Sequence, residues 1–505
     1  MESKQIVAVQ EPAAEASDPD PDPDPALLQQ AKHLHGEAAA AYSRHDIGLA
    51  HQCWAQAYHL ARRATPATAF PVLNQALNGL GAVALAKSRL DEAHSFFKQA
   101  LSLQQQLNPR SAAVADTLNN LGIVAERKGD LQGALDLYNQ ALAFLKEETS
   151  PRALSIAGTQ GNIANVYSAQ GKLDEAEQFY SQALDIQETH APRLVVAKTL
   201  SNVAAVFHAK GRLEEAMHCH QKAVKIQHQL APGSWDLGST YIGVANCMKH
   251  RGELDEAMQY YEKAREIIAA HAPNSRDVAG CICNMATVHK AKGQIADALQ
   301  LYREALALLE KLSPESVDVA LTLNNIASCL QEIGEIDEAM SCHRNALAIK
   351  KAKAPRSMEV AATLSNMALC LQAQGKLAEA GRLFETVLEI QKDQAPGSLF
   401  VAATLCNIAG IAHKKRRLHQ AVQLYRRALT VQMAQAPHSL YAASCMNSLA
   451  VALTAVGKLD EALRFYDTAM KIQAEQAPSS MALGRTIGNI GEVFFAKQQM
   501  HKALK

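Results

Sequence analysis

Residues 355–396 read PRSMEVAATLSNMALCLQAQGKLAEAGRLFETVLEIQKDQAP. Ser357 is the expected N-cap of a first helix from about Met358 to Gln374, because its hydroxyl can accept from the first-turn amides. Gly375 supplies the positive φ that ends this helix. A second helix is expected from about Leu377 to Lys392. The segment therefore predicts one helix–turn–helix unit, bounded by prolines that cannot extend a helix.

The same plan recurs from about residue 26 to the last residue. After residue 71 every proline marks a unit boundary, and successive boundaries are about 41 residues apart. Small residues keep the same register, as at Ala368 in the first helix and Ala380 in the second. A fixed period in this range indicates a solenoid, in which each unit buries its apolar face by stacking on its neighbours. The boundary prolines are Pro109, Pro151, Pro192, Pro232, Pro273, Pro314, Pro355, Pro396, Pro437 and Pro478.

Three short motifs recur in order: N-[LIVM]-[GA], then G-[KDE]-[LI]-x-[EDG]-A, then [YF]-x-x-A-[LV]. This pattern resembles the tetratricopeptide repeat over about residues 26–505. The long period is similar to that of the repeats in kinesin light chains, and the stretch 117–144 matches that type closely. The resemblance implies an all-α, right-handed superhelical solenoid of about twelve helix–turn–helix repeats. It also implies that the first helix of each pair lines a concave, protein-binding face.

Four segments are expected along the chain. Residues 1–25 form an acidic Asp-Pro tail with seven acids and one lysine, which cannot bury an apolar face and should be disordered. This tail either solubilises the protein or folds back as an acidic ligand for the groove. Residues 26–65 form a degenerate first repeat, residues 66–478 ten tetratricopeptide-like repeats, and residues 479–505 an incomplete final repeat. The natural chain is expected to continue beyond Lys505 or to end in a frayed helix.

Composition narrows the function. The 50 basic residues balance the 50 acidic ones, which gives no basic excess for nucleic acid. No apolar run reaches the ~18–20 residues that span a bilayer, so no membrane insertion is expected. The ten cysteines lack a C-x-x-C motif and repeat at helix positions typical of small core residues, which predicts free thiols. A cytoplasmic protein is expected, with cytoskeletal association as a further possibility.

One position of the first helix is asparagine in eight of eleven units, and we call it the Asn slot. Asparagine is a poor mid-helix residue, so its carboxamide should serve a purpose. It can donate to and accept from the backbone of an extended peptide, the use that the family resemblance implies. Alternatively, each Asn bonds to the neighbouring helix and sets the geometry between repeats. The slot residues are Asn120, Asn162, Asn202, Asn284, Asn325, Asn366, Asn407 and Asn489; Gly79, Gly243 and Ser448 are the exceptions.

Residues near the Asn slot vary, and we expect them to supply side-chain specificity. Six residues after it stand Lys249, Lys290, Gln331, Gln372 and His413, and four before it stand Lys198 and Arg485. These cations favour a peptide that carries Asp or Glu.

Two further clusters invite a chemical interpretation. The basic run His413–Arg417 reads as cations at a helix C-terminus, as a nuclear-import-like run, or as a contact for an acidic surface such as tubulin. His218-Cys219-His220 and Cys342-His343 look like metal ligands. However, His220 and His343 occupy the position that other units fill with Trp, Phe or Tyr, and adjacent helical residues point in different directions. Structural packing is therefore expected, with no metal and no cofactor.

No nucleotide-binding, zinc-protease or nucleophile-elbow motif is present, so no enzyme is expected. Two functions remain. The chain is a scaffold or adaptor that binds extended segments of cytoskeletal, motor-associated or other proteins in its concave groove. Alternatively, it is a permanent structural component of a cytoskeletal or ciliary assembly.

Overall fold

The computed structural model describes residues 25–44, 46–64, 66–107, 112–147 and 152–497, and these residues form helices and turns without a strand. The chain divides into two units, Met1–Pro232 and Gly233–Lys505. Within each unit, every helix packs on the one that follows it, so that helix pairs stack in chain order. The predicted all-α architecture of stacked helix pairs is confirmed.

The first unit contains ten described helices. They are α1 (Pro25–Ser43), α2 (Ile47–Ala61), α3 (Pro66–Ala86), α4 (Leu90–Leu107), α5 (Ala112–Arg127), α6 (Leu131–Glu147), α7 (Ala153–Ala169), α8 (Leu173–His190), α9 (Arg193–Ala209) and α10 (Leu213–Leu230).

The second unit contains thirteen described helices. They are α11 (Trp235–Arg251), α12 (Leu254–His271), α13 (Arg276–Ala291), α14 (Ile295–Leu312), α15 (Val317–Glu332), α16 (Ile336–Lys353), α17 (Met358–Ala373), α18 (Leu377–Gln394), α19 (Leu399–Lys414), α20 (Leu418–Gln435), α21 (Leu440–Ala455), α22 (Leu459–Gln476) and α23 (Met481–Ala496).

Helix ends follow the local chemistry of each repeat. The Ser357 hydroxyl accepts from the Val360 amide at 3.3 Å, which confirms the predicted N-cap. Gly375 takes the predicted positive φ, at 76°, between α17 and α18. Ser88 and Arg416 occupy the same left-handed turn position at φ of 57° and 62° without being glycine. Side chains rarely adopt this conformation, so these two turns are strained.

The same positions are buried in successive repeats, so the core has the period of the sequence. Ala368 and Ala380 are fully buried, and so are their equivalents from Ala164 to Ala450 and from Ala93 to Ala462. The large residue of each second helix packs beside these alanines and is buried in all eleven described pairs. We call this position the aromatic slot. Its residues are Trp54, Phe97, Tyr138, Tyr180, His220, Tyr261, Tyr302, His343, Phe384, Tyr425 and Tyr466.

Some sequence predictions lie outside the described residues. They are the acidic tail up to residue 24, the boundaries at Pro109 and Pro151, and the end of the chain from residue 498. One described window, Ala69–Ala86 in α3, is long and apolar enough to cross a membrane, although no apolar run of that length was expected. Half of it is buried in the fold, as in a core helix.

Candidate functional site

The Asn slot lies on the first helices of both units. Asn325 is exposed and the other seven slot asparagines are half-buried. In the described chain, six of the eight side chains form no hydrogen bond to the protein: Asn120, Asn162, Asn284, Asn325, Asn366 and Asn407. Asn284 and Asn325 line one open cleft of about 420 Å³ in the second unit. These carboxamides are therefore available to a ligand.

Two slot asparagines bond within the protein instead. Asn202 interacts with the Tyr180 hydroxyl of the preceding helix pair, which itself donates to the Asn165 Oδ1. The Asn489 Nδ2 lies 3.4 Å from the Asn447 Oδ1 of the preceding repeat. In these two repeats, the slot asparagine contacts the neighbouring repeat, as the alternative interpretation of the slot expects.

A polar contact between successive repeats lies beside the Asn slot, and the sequence analysis missed it. The residue just before the slot bonds a threonine of the next first helix. The Asn119 Nδ2 donates to the Thr159 Oγ1 at 2.8 Å, and the Asn324 Nδ2 to the Thr363 Oγ1 at 3.2 Å. The signal was present, because threonine recurs three residues before the slot: Thr117, Thr159, Thr199, Thr240, Thr322, Thr363, Thr404 and Thr486.

At one contact between successive repeats, cysteines replace both the residue before the slot and the threonine. Cys406 and Cys445 occupy the pre-slot and threonine positions of two successive first helices, and their sulfur atoms lie 3.3 Å apart. All ten cysteines are free thiols, as predicted.

A second missed element is a buried polar residue seven positions after the aromatic slot. The Thr404 hydroxyl donates to the Gln391 Oε1 at 2.7 Å, and Thr486 bonds the Gln473 Oε1 at 2.9 Å. Lys350 stands at this position in another repeat, and its Nζ bonds Thr363 at 3.1 Å. Burial lowers the pKa of this lysine. The glutamines at this position are Gln104, Gln187, Gln227, Gln391, Gln432 and Gln473.

Some of the cations predicted to line the groove already have partners within the protein. The Lys290 ammonium contacts the Glu332 carboxylate at 3.0 Å and the Ser328 hydroxyl at 2.5 Å, so the protein already neutralises it. Lys249 has no ion pair in the described structure, and burial lowers its pKa. Gln331 bonds Cys370 at 2.7 Å, while Lys198 and Arg485 are exposed. Lys249 is therefore the strongest candidate cation next to the slot.

Comparison with known proteins decides the family. The sequence matches the family described as "Tetratricopeptide repeat" at residues 72–147 and, through overlapping matches, across 236–475. It also matches the family described as "MalT-like TPR region" at residues 115–268. These matches cover more than half of the chain. The protein belongs to the tetratricopeptide-repeat family. Such repeats are typically protein-interaction modules, so the chain is a protein-binding scaffold.

Solved structures share the fold of this tetratricopeptide-repeat chain. The quorum sensor NprR from B. thuringiensis, in its apo form, is 14% identical with a TM-score of 0.56, covering 72% of this chain and 99% of that one. BtubC (BKLC) from P. vanneervenii is 21% identical with a TM-score of 0.39, covering 44% of this chain and 92% of that one. No curated protein matches.

The histidine clusters fit repeat packing. His220 and His343 are buried in the aromatic slot, as predicted, and burial lowers the pKa of each imidazole to about 4. No group of three or more metal-ligating side chains forms in the described part of the repeats. In the basic run, residues 414–417 are exposed, with Arg416 at the strained turn.

Proposed function

We propose that this tetratricopeptide-repeat protein is a non-enzymatic adaptor that holds extended segments of partner proteins along its first helices. One observation carries the proposal: Asn284 and Asn325, from successive repeats, present carboxamides without a partner in the described chain to the same cleft. Each carboxamide offers two donors and an acceptor, which match the amide and carbonyl of an extended backbone. Two such groups can hold a chain segment without depending on its side chains.

The neighbouring charges indicate which segments bind best. Lys249 has no carboxylate partner among the described residues, so an Asp or Glu of the ligand would stabilise its charged form. The period of about 41 residues, longer than that of the common tetratricopeptide repeat, supports the kinesin-light-chain-like type. The free thiols suit a cytoplasmic protein. Motor-associated and cytoskeletal proteins are candidate partners within this proposal.

A peptide selection tests the proposal. We expect the full chain to enrich specific sequences from a displayed library of random dodecapeptides. The double variant Asn284→Ala, Asn325→Ala should bind the selected peptides at least tenfold more weakly by fluorescence anisotropy. Alanine is the better helix former, so lost binding would not reflect lost structure. The control Asn345→Ala changes an exposed residue of α16 and should bind normally. No enrichment, or equal binding by the double variant, would contradict the proposal.

The salt dependence of the same binding tests the role of Lys249. For an acidic peptide, affinity should fall as salt rises, and Lys249→Gln should flatten that dependence because the desolvated cation is removed. Identical salt slopes in the parent and the variant would remove Lys249 from the proposed site.

A second candidate function rests on a separate observation. The second unit exposes large apolar side chains at the starts of three successive first helices. They are Leu399, Phe400, Leu440, Tyr441 and Met481. Exposed apolar clusters mark interaction surfaces, so this edge supports the alternative of a permanent place in a cytoskeletal or ciliary assembly. Replacing Phe400 and Tyr441 by Ser should release the protein from such an assembly and leave peptide binding intact.

A further inference from the structure

The first unit contains a cleft of about 630 Å³ that departs from the repeat pattern. It is lined by residues of the five helices α1 to α5, and Gly79 stands there in place of the slot asparagine. A Cβ atom at Gly79 would fall less than 3 Å from three atoms of the Trp54 indole. The glycine is therefore required by the tryptophan that fills the aromatic slot, and together they leave room for a ligand.

A buried carboxamide of this cleft lacks a partner. Gln104 lines the cleft and is 5% exposed, and neither its Oε1 nor its Nε2 is hydrogen-bonded within the described chain. The nearby Thr117 hydroxyl bonds the Asn78 Oδ1 at 3.2 Å and the Ala113 carbonyl at 3.0 Å, so it does not serve Gln104. A buried carboxamide without partners is costly, and a ligand that supplies both a donor and an acceptor removes that cost.

A second available carboxamide lies in the same cleft. Asn120 lines it and has no side-chain hydrogen bond to the described residues, whereas Asn78 donates to the Asn74 carbonyl at 3.0 Å. Gln104 and Asn120 together match a ligand with two amide groups. An extended peptide has one such group in its backbone and a second in the side chain of Asn or Gln.

The charge of the lining excludes acidic ligands. Among the described residues no Lys or Arg lines the cleft, and its one carboxylate, Asp116, lies 3.4 Å from Arg152. Burial lowers the pKa of His35, whose Nδ1 accepts from the Trp54 indole at 3.1 Å, so this imidazole is neutral. A phosphate or carboxylate would be desolvated here without a cation, whereas a neutral amide would not.

We propose that this cleft binds a peptide segment through an Asn or Gln side chain, with Gln104 pairing to the side-chain amide and Asn120 to the backbone. The inference rests on the proposed function and adds a residue preference in the first unit, opposite to the acidic preference expected next to Lys249. Tyr42 and Trp54, whose ring centroids are 5.6 Å apart, form the aromatic wall against the methylene groups of that side chain.

Trp54 provides the readout. The chain has two tryptophans, so Trp235→Phe leaves Trp54 as the only indole. In this background, uncharged nonapeptides that differ only at a central Asn, Gln, Ala or Asp are titrated against the full chain. We expect saturable changes in Trp54 emission with Asn or Gln, and at least tenfold weaker binding with Ala or Asp. Equal binding of the Ala peptide would overturn the inference.

Gln104→Leu separates binding from folding. Leucine occupies this repeat position naturally at Leu145, so the variant should fold normally. We expect it to bind the Asn peptide at least tenfold more weakly. The matched control Gln187→Leu removes the equivalent glutamine, also 5% exposed and outside the cleft lining, and should bind like the parent.

The outcomes distinguish this inference from the proposed function. Equal binding by Gln104→Leu would overturn the cleft assignment. If library peptides bind through Asn284 and Asn325 but the central residue has no effect on Trp54, only this inference fails. If no peptide binds either unit, the proposed function fails as well. Saturation of the Trp54 signal by adenosine as readily as by the Asn peptide would overturn the assignment to a peptide.

Discussion

The buried glutamine seven residues after the aromatic slot and the threonine three residues before the next Asn slot are hydrogen-bonded to each other at some repeats and not at others. In the second unit, the Thr404 hydroxyl donates to the Gln391 Oε1 at 2.7 Å. In the first unit, the Thr117 hydroxyl is engaged by Asn78 and Ala113, and Gln104 is left unpaired among the described residues. The repeated glutamine thus ties two repeats together at Gln391 and Gln473, whereas Gln104 remains without a partner among the described residues.

The largest loss of stability is expected at Gly79, where the first unit departs most from the pattern of the Asn slot. Gly79→Asn restores the usual slot residue but collides with Trp54, and overpacking of this kind costs about 1–3 kcal/mol. Chemical denaturation and hydrogen exchange of α3 measure the loss. Adding Trp54→Tyr should recover most of it. The control Gly158→Ala has open space around its Cβ and should stabilise α7 by roughly 0.5–1 kcal/mol. Tolerance of Gly79→Asn alone would show that the tryptophan does not require the glycine.

His220 in the first unit and His343 in the second occupy the aromatic slot, so the pH dependence of stability can be compared between the units. Burial lowers both pKa values to about 4, so below pH 6.5 the unfolded chain binds protons that the folded chain does not. Stability should therefore fall as the pH drops from 7.5 to 5, by about 2 kcal/mol per histidine. His220→Tyr and His343→Tyr should each flatten urea-denaturation profiles over this range. His419→Tyr, an exposed site in α20, should not. Unchanged profiles in both slot variants would rule out these histidines as the cause.

The glutamine comparison predicts effects of opposite sign. Gln391→Leu leaves the buried Thr404 hydroxyl unpaired and should cost about 1 kcal/mol or somewhat more. Gln104→Leu removes two unpaired atoms and should be neutral or stabilising by up to about 1 kcal/mol. Urea denaturation of both variants measures the difference. If both variants lose stability equally, Gln104 has a partner in solution.

The smallest change in stability is expected at the two strained turns. Ser88→Gly in the first unit and Arg416→Gly in the second relieve a left-handed side chain, and each should stabilise the protein by up to about 1 kcal/mol. The reverse change, Gly375→Ser, should destabilise by a similar amount. Thermal denaturation measures all three. A loss of stability in Arg416→Gly would mean that the arginine makes contacts that outweigh the strain.

The sequence predicted the fold well because its signals are local and repeated. Observed helices Met358–Ala373 and Leu377–Gln394 end within two residues of the predicted bounds, since the Ser357 cap and the Gly375 turn act on their own backbone. The site was harder to predict. The slot position of Asn202 and Asn284 is identical, yet of these two described side chains only Asn202 has a partner, the Tyr180 hydroxyl.

Charge pairing between repeats was the least accessible to sequence reasoning. Lys249 and Lys290 share one position, but Glu332 of the next repeat neutralises only Lys290. Such differences depend on side chains a full repeat away in the sequence, and the period alone does not reveal them. The threonine contact was readable from the sequence, because its spacing from the slot is constant.

The contact between Trp54 and Gly79 limits how this end of the protein can evolve. A tyrosine with an asparagine is the combination in five other repeats, but two replacements separate it from the present pair. Filling the slot first would produce a collision, whereas shrinking the ring first would produce only a tolerable cavity. The order of substitution is therefore constrained: replacing the indole before the glycine avoids the collision.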